Sequence, residues 1–565
     1  MKTKRPLPIG VDSYKKIIDK PYYYVDKTLL IKDILDKGGE VNLFTRPRRF
    51  GKTLALTMLQ SFFEKEIDNK GAIVDNSKYF QNTKIAATGK GYMQHMGQYP
   101  VIFLTLKSAK QPNFEMAYAS LTDEIQKEYY RHRYVLDANA LSDMQKEAYQ
   151  NIMNGKAEAV TYAKSLQFLS ECLKQCHNKN TIILLDEYDV PLENAYFRGF
   201  YTEMIDFIRS LFESALKTNP SLEFAVITGC LRLSKESIFT GLNNLKINSL
   251  LANDFAEHFG FTEAEVQQML CRYSLEYRST EAKEWYDGYQ FGSTEVYNPW
   301  SMISYVQEGI SNEHAFPKPY WSNTSSNSII KELVERADDD VKEEIETLMQ
   351  GGRIEVPVHE DITYEDIHKT QDNLWNFLFF TGYLKKTAER FENRMIYLTL
   401  TIPNEEVAYI YENTIREWFD QKIEKLDRKP LHQALLGGGC DEIQQILRRE
   451  LLDGISYHDN AESFYHGYVA GLLKGMPDYK LRSNREAGNG RPDIQLVPYN
   501  QKDTVFLIEL KKADSYQQME GKCKEALAQI VERGYEEELR LEGYRNFVHY
   551  GICFCKKNCM VQMKK

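Results

Sequence analysis

The first half of the chain alternates short apolar runs with longer stretches in which apolar residues recur every three or four positions. The apolar runs are Val41–Phe44, Val101–Leu106, Ile182–Leu185 and Phe224–Ile227. Between the first two, Leu54–Glu64 shows the helical spacing. Strands that alternate with amphipathic helices predict a parallel α/β sheet covered by those helices.

The pattern changes twice further along the chain. From about Glu263 to Asn460 helical spacing dominates, with a glycine-rich break at Leu436–Gly439. After Ala461 the order becomes helix, strand hairpin, helix and strand, which predicts a compact α/β module. We therefore predict three domains, at 1–260, 261–455 and 456–565.

Composition indicates a folded, multidomain protein, because 42% of the 565 residues are hydrophobic and 27% are charged. The formal net charge of -10 would repel nucleic acid, so a nucleic-acid site must be locally basic. Nine scattered cysteines and a start without an apolar leader favour a reduced cytoplasm. No apolar run approaches the roughly 18 residues that a membrane span needs, so we expect no membrane partner.

The first candidate chemistry lies in the run Arg46–Thr53, which follows the first strand and opens the first long helix. N–H groups at a helix start lack internal partners and favour anions, so such a loop suits phosphates. Lys52 would contact the β and γ phosphates of ATP, and the Thr53 hydroxyl would bind Mg²⁺. Because Arg46 replaces the usual first glycine, a basic turn before a surface helix is the alternative. The predicted nucleotide-binding residues of the loop are Arg48, Arg49, Phe50, Gly51, Lys52 and Thr53.

An acidic pair follows the third apolar run. Ligands of open α/β sheets bind at the carboxyl ends of the strands, where Asp186 and Glu187 stand. This pattern is typical of a Walker B strand, with Asp186 on Mg²⁺ and Glu187 activating the attacking water. The alternative is a solvated acidic turn.

Two further polar residues follow the fourth run. Thr228 could sense the γ-phosphate from the end of that strand. Arg232 could touch phosphate, or it could only fix the following helix through a carboxylate.

The C-terminal hairpin carries the second candidate chemistry. If its polar turn is centred on Gln501, Asp493 and Glu509 stand opposite each other, with Cβ atoms about 5 Å apart. Lys511 lies two residues beyond Glu509 and therefore on the same face.

Two opposed carboxylates repel each other unless a cation lies between them, and Mg²⁺, or Mn²⁺ in its place, favours oxygen ligands. We therefore predict a metal site at Asp493 and Glu509 that serves phosphodiester hydrolysis, with Lys511 orienting or deprotonating a water. In the preceding helix, Glu462 could extend the metal site, whereas His466 on the same face is expected to pack or to form a hydrogen bond. The alternative is an ordinary hairpin with a cross-strand salt bridge.

Several segments resemble known families. The segments YYYVDKT, FTRPRRFGKTLALTML, IILLDEYDVPL and ITGCLRLSKESIFTGLNN resemble the bacterial AAA-ATPase-like family, in which an arginine-rich loop is usual. The hairpin, with Asp493 and Glu509-Leu510-Lys511, resembles the PD-(D/E)xK nucleases, and this resemblance adds Gln529 of the next helix to the catalytic set. Together, the two resemblances imply a P-loop NTPase sheet, a helical middle region and a restriction-endonuclease-like α/β domain.

Three functions follow as hypotheses. In the first, the chain is an enzyme that couples ATP hydrolysis to Mg²⁺-dependent cleavage of nucleic acid, in defence or mobile-element biology. We expect the nucleic acid to be DNA. In the second, the chain is a nucleotide-switched regulatory ATPase. In the third, the nuclease-like module only binds or assembles, without catalysis. An arginine from a second subunit could complete the ATP site, so homo-oligomerisation is left open.

Overall fold

The computed structural model describes residues 5–68, 70–231, 238–239, 242–322, 330, 339–360, 362–367, 369–425, 427–452, 462–483, 492–555 and 558–564. The chain divides into two compact units. The first comprises Met1–Ser326 and Glu355–Tyr409, and the second Asn327–Ile354 and Ile410–Lys565.

A five-stranded parallel sheet forms the centre of the first unit. Its strands are β1 (Val41–Thr45), β2 (Val101–Thr105), β3 (Thr181–Asp186), β4 (Leu222–Gly229) and β5 (Leu245–Asn248), in the order β2-β3-β4-β1-β5. Every residue of β1 and β3 is buried, as expected for parallel strands covered on both faces. The four predicted strands are all present. The short strand β5 was not predicted.

Helices surround this sheet and continue into the middle of the chain. They are α1 (Tyr14–Asp19), α2 (Leu29–Lys37), α3 (Lys52–Phe63), α4 (Lys84–Ala87), α5 (Lys90–Met93), α6 (Phe114–Arg131), α7 (Asp143–Met153), α8 (Ala159–Tyr162), α9 (Ser165–His177), α10 (Val190–Arg198), α11 (Tyr201–Leu216), α12 (Glu263–Tyr273), α13 (Ser279–Tyr286) and α14 (Pro299–Ser311). The predicted helix Leu54–Glu64 corresponds to α3, whose packed side includes Leu56, Leu59, Phe62 and Phe63.

Two small sheets interrupt the helical middle region. One is the antiparallel pair β6 (Tyr289–Phe291) and β7 (Thr294–Val296), and the other joins β8 (Ile354–Pro357), β9 (Lys385–Glu392) and β10 (Met395–Thr401). Helices α15 (Asp339–Met349) and α16 (Gln371–Thr381) lie on either side of β8 in the sequence. The middle is therefore mainly helical, as predicted, but it also contains strands that the helical spacing did not indicate.

The second unit contains a mixed five-stranded sheet. Its strands are β11 (Tyr479–Ser483), β12 (Ile494–Pro498), β13 (Thr504–Lys512), β14 (Asn546–Cys555) and β15 (Asn558–Lys564), in sequence order across the sheet. Strands β13 and β14 are parallel, and the other neighbouring pairs are antiparallel. Its later helices are α17 (Glu405–Lys425, which begins in the first unit), α18 (Lys429–Gly437), α19 (Cys440–Leu452), α20 (Glu462–Leu473), α21 (Met519–Glu532) and α22 (Glu536–Leu541).

Strand β13 separates two apolar cores, because successive side chains point to opposite faces of a sheet. Ile508 and Leu510 pack with residues of α20, whereas Val505 and Leu507 pack with Ile530 of α21. Glu509 shares the parity of Leu507 and so faces the α21 side. The predicted fold class, a parallel α/β unit followed by a C-terminal α/β module, is confirmed. Among the described helices, none has the length and apolarity to cross a lipid bilayer.

Candidate active sites

The loop between β1 and α3 turns sharply before the helix begins. Gly51 precedes α3 with φ at 83°, in the left-handed region that glycine enters without strain. Arg49 also has a positive φ, of 70°, which is uncommon for a residue with a side chain. The backbone thus forms a compact turn, and the N–H groups of its last residues lie at the start of α3.

Lys52, the first residue of α3, points back into this loop. It is only 4% exposed, and its Nζ donates hydrogen bonds of 2.9 Å to the carbonyl oxygens of both Arg46 and Pro47. The ammonium group therefore lies inside the turn that the helix N-terminus closes.

Thr53, Asp186 and Thr228 come from three different elements and meet at the carboxyl edge of the sheet. The Thr53 hydroxyl donates to Asp186 Oδ2 at 2.9 Å, and the Thr228 hydroxyl donates to Asp186 Oδ1 at 2.9 Å. Asp186 is fully buried, whereas the next side chain, Glu187, is 25% exposed. The sheet order explains the meeting, because α3 follows β1, Asp186 ends β3 and Thr228 is the last residue but one of β4.

Lys107 also reaches this cluster, although the sequence analysis did not identify it. Its Nζ donates to Thr53 Oγ1 at 2.7 Å and lies 3.2 Å from Asp186 Oδ2 and 4.0 Å from Glu187 Oε1. Thr105, the last residue of β2, is paired with Asp186 of β3, which brings Lys107 to the same edge. The available signal was its position directly after a predicted strand.

Arg46, which replaces the usual glycine, is a structural residue. Its fully buried guanidinium lies over the rings of Phe259 and Phe291, 5.3 and 5.0 Å from their centroids. It donates to the carbonyl oxygens of Thr45 and Asn248, and burial lowers the pKa of the guanidinium to about 9. The Arg46 side chain thus packs beneath the loop and does not block the turn of the loop backbone.

The other loop side chains point in different directions. Arg48 forms an ion pair with Glu193 of α10, and the exposed Arg49 stacks on Trp300 with 4.4 Å between the guanidinium carbon and the ring centroid. Phe50 is 1% exposed and packs against aromatic rings of the middle region, so only its backbone is available to a nucleotide.

In the second unit, the hairpin has the predicted register. Ile494 is paired with Ile508 and Leu496 with Phe506, so the alignment is centred on Gln501 and the prediction is confirmed. At the next position outward, the Asp493 N–H donates to Glu509 Oε2 at 3.3 Å. Asp493 Oδ2 in turn accepts from the Leu510 N–H at 2.8 Å.

Glu509 is the centre of this second cluster. It is 2% exposed, and its Oε1 accepts hydrogen bonds from Gln529 Nε2 of α21 and from Lys511 Nζ, the latter at 3.4 Å. Burial, followed by the negative charge of Asp493, raises the pKa of Glu509 to about 7. The Asp493 carboxylate is thus close enough to disfavour ionisation of Glu509.

Comparison with known proteins distinguishes the same two regions. Residues 8–239 match the family model described as a predicted AAA-ATPase, and residues 460–564 match that of the PD-(D/E)XK nuclease superfamily. The chain thus carries an AAA-ATPase-like domain at 8–239 and a domain of the PD-(D/E)XK nuclease superfamily at 460–564. A protein of Azotobacter chroococcum mcd 1, described as an uncharacterized protein in the vnfD 5′ region, is 23% identical over 558 residues. The alignment covers 96% of this chain and 95% of that relative.

Two predicted residues fall at the limits of what the structure describes. Arg232, predicted for the ATPase-like domain, lies outside the described residues. Glu462 is the first residue of α20 in the nuclease domain, but its side chain lies outside the described part. His466, in the same helix, was predicted to pack or to form a hydrogen bond. This prediction is confirmed, because the side chain is 8% exposed and forms a 2.7 Å hydrogen bond with the Asp493 carbonyl oxygen.

The nuclease domain has a donor set that fits a hard divalent cation. Asp493 and Glu509 supply carboxylate oxygens at one place, and the Lys511 ammonium lies 3.4 Å from Glu509 Oε1. Burial and the charge of Asp493 together raise the pKa of Glu509, and a bound cation would offset both effects. Among the described side chains, no cluster of three or more histidine, cysteine, aspartate and glutamate groups is arranged to hold a metal. Further ligands would therefore be water, substrate or undescribed side chains.

Proposed function

We propose that the chain binds and hydrolyses ATP through residues 1–260 and cleaves phosphodiester bonds of nucleic acid, with DNA as the expected substrate, through residues 456–565. The observation that carries the nuclease assignment is the juxtaposition of Asp493, Glu509 and Lys511 on the hairpin, with Gln529 against Glu509. A cross-strand salt bridge would need one acid opposite one base. Here an acid lies beside an acid, which is costly without a counter-ion.

Each of these residues has a separate proposed task. Asp493 and Glu509 hold Mg²⁺, or Mn²⁺ in its place, and the bound ion supplies charge neutralisation at the phosphodiester and favours deprotonation of water. Lys511, 14% exposed in its side chain, points its ammonium toward the site and can orient the attacking water or contact the phosphate. Gln529 fixes the rotamer of Glu509, and His466 fixes the backbone at Asp493.

For the ATPase-like domain, the support is the meeting of Thr53, Asp186 and Lys52 at the helix N-terminus. Phosphate oxygens would replace the loop carbonyls as partners of the Lys52 ammonium. Thr53 and Asp186 would hold the Mg²⁺ of the nucleotide, and the partly exposed Glu187 would orient the attacking water. Thr228 would keep the Asp186 carboxylate in place.

The nuclease proposal is tested by incubating the full-length chain with single- and double-stranded DNA and RNA, in Mg²⁺ or Mn²⁺ and with or without ATP. We expect metal-dependent cleavage that falls by at least about 100-fold in Glu509→Ala and in Lys511→Ala. Glu532→Gln, an exposed acid at the end of α21, is the matched control and should cleave normally. Cleavage that survives both active-site substitutions would refute the assignment.

The ATPase proposal is tested by steady-state ATP turnover. Wild type should hydrolyse ATP, and Lys52→Ala should lose turnover because the phosphate charge loses its counter-charge. ATP binding without measurable turnover in the wild type would instead favour the nucleotide-switched regulatory function.

A further inference from the structure

Lys107 occupies a position that neither catalytic proposal has used. Its ammonium is 2.7 Å from the Thr53 hydroxyl oxygen and 3.2 Å from Asp186 Oδ2, the two oxygens to which the proposed function assigns Mg²⁺. It also lies 4.0 Å from Glu187 Oε1. The Lys107 ammonium therefore contacts all three groups that surround the proposed metal position.

The fold fixes this placement. Strand β2 lies beside β3, with Leu104 paired to Leu185 and Thr105 to Asp186, and the Leu106 N–H donates to the Asp186 carbonyl oxygen at 3.0 Å. The chain then enters a short 3-10 turn at Lys107–Ala109. A residue at this point projects over the carboxyl edge of the sheet, where the Lys107 ammonium forms an ion pair with the buried Asp186.

A divalent ion and this ammonium cannot occupy the cluster together at low cost. Mg²⁺ takes oxygen ligands at about 2.0–2.1 Å, so an ion on Thr53 and Asp186 would lie within a few ångströms of Lys107 Nζ. Like charges at that separation repel strongly where water is largely excluded. The Lys107 side chain is 38% exposed, so its flexible stem has a route to solvent.

We infer that Lys107 is a built-in cation that occupies the metal position of the nucleotide-free ATP site and must withdraw before Mg²⁺ binds to Thr53 and Asp186. Lys107 thereby sets the Mg²⁺ concentration at which nucleotide is bound. This inference rests on the proposed ATP-binding function and adds a residue that tunes its metal dependence.

The first test measures ATP binding to the full-length chain by calorimetry during a Mg²⁺ titration. Lys107→Met keeps most of the stem and removes the charge, so it should reach half-saturation at about tenfold lower Mg²⁺, the factor expected for one lost charge-assisted hydrogen bond. Lys107→Arg keeps the charge and should resemble wild type more than Lys107→Met does. Lys110→Met, at an exposed lysine three residues further along, should match wild type.

The second test needs no nucleotide and so separates this inference from the ATPase proposal. Electron paramagnetic resonance measures Mn²⁺ binding in a Glu509→Gln background, which removes the hairpin site. Lys107→Met should bind one Mn²⁺ more tightly than the background chain, and adding Asp186→Asn should abolish the gain. Equal Mn²⁺ affinity with and without Lys107 would overturn the inference even if ATP binds. Wild type that binds no ATP at any Mg²⁺ concentration would refute the ATPase proposal, while the Mn²⁺ comparison would still decide the role of Lys107.

Discussion

Asp186 and Glu509 are both buried acids on interior strands of five-stranded sheets, but their charges are balanced differently. Asp186 accepts hydrogen bonds from Thr53 and Thr228 and lies 3.2 Å from the Lys107 ammonium. Glu509 also has a lysine nearby, with Lys511 Nζ at 3.4 Å, but a second acid, Asp493, lies directly beside it.

The setting of the second acid separates the two sites. At the candidate ATP site, Asp186 has the Lys107 ammonium at 3.2 Å, and the second acid, Glu187, is 25% exposed and lies 4.0 Å from that ammonium. At the hairpin, burial and the negative charge of Asp493 raise the pKa of Glu509 to about 7. A metal position can thus hold a lysine that withdraws, as we infer for Lys107, or neighbouring acids whose repulsion a proton or a metal relieves, as we propose for Asp493 and Glu509.

Removing the negative charge of Asp493 should have the largest effect. Asn at position 493 keeps the shape of Asp493 but removes its charge, so Asp493→Asn should lower metal-dependent cleavage by about 100-fold or more. Initial cleavage rates at saturating Mg²⁺ measure the effect. The exposed Asp503→Asn in the hairpin turn is the control, and a loss of similar size there would show that the hairpin fold, not the charge, is responsible.

The free energy of unfolding of this region should depend on pH. Because the pKa of Glu509 is raised from 4.5 to about 7, the folded chain keeps a proton that the unfolded chain releases between these values. Stability should therefore fall as pH rises through this window, by on the order of 3 kcal/mol, and level off above it. Hydrogen exchange of β12 and β13 in the full-length chain measures this fall.

One substitution and one addition of Mg²⁺ test whether Glu509 causes this fall. Glu509→Gln should remove the pH slope, because the amide does not titrate. At pH 8, Mg²⁺ should restore protection in wild type by about 1–2 kcal/mol at concentrations around ten times its Kd, but should not do so in Glu509→Gln. A slope that persists in Glu509→Gln would assign the titration to another group.

A smaller loss is expected when the support of Glu509 is removed. Gln529→Ala deletes the hydrogen bond to Glu509 Oε1 but keeps both carboxylates that we propose to bind the metal, so cleavage should fall by about 10-fold or somewhat more. Gln517→Ala, at an exposed glutamine just before α21, should leave the rate unchanged. Equal rates for the two variants would place Gln529 outside the machinery.

The smallest predicted effect lies at the ATP site. Thr228→Val removes one hydrogen bond to Asp186, but Thr53 and Lys107 still contact that carboxylate. ATP turnover should therefore fall by roughly fivefold, as expected for a single hydrogen bond. A loss as large as that of Lys52→Ala would mean that Thr228 contacts the nucleotide itself.

Much of the fold and of the hairpin could be predicted because local rules determine them. Runs of buried apolar residues marked the four main strands, and the period of two fixed the faces of Glu509 and Lys511 once the turn was centred on Gln501. Strands β5, β11 and β15 were missed. All three form edges of their sheets, where polar residues interrupt the apolar run.

Lys107 and Arg46 could not be assigned from local pattern. Lys107 reaches Asp186 only because β2 and β3 are neighbours in the sheet, and that order is a property of the whole fold. Arg46 belongs to a basic run whose members look equivalent in sequence, yet it is buried between two rings while Arg49 is exposed. Such differences depend on packing between distant segments.

The central claim is that Asp493 and Glu509 share one divalent cation. The most direct test counts Mn²⁺ bound to the full-length, nucleotide-free chain in an Asp186→Asn background, which removes the ATP site. We predict one ion for the background chain, and its loss when either Asp493→Asn or Glu509→Gln is added. Unchanged Mn²⁺ binding in both hairpin variants would contradict the account.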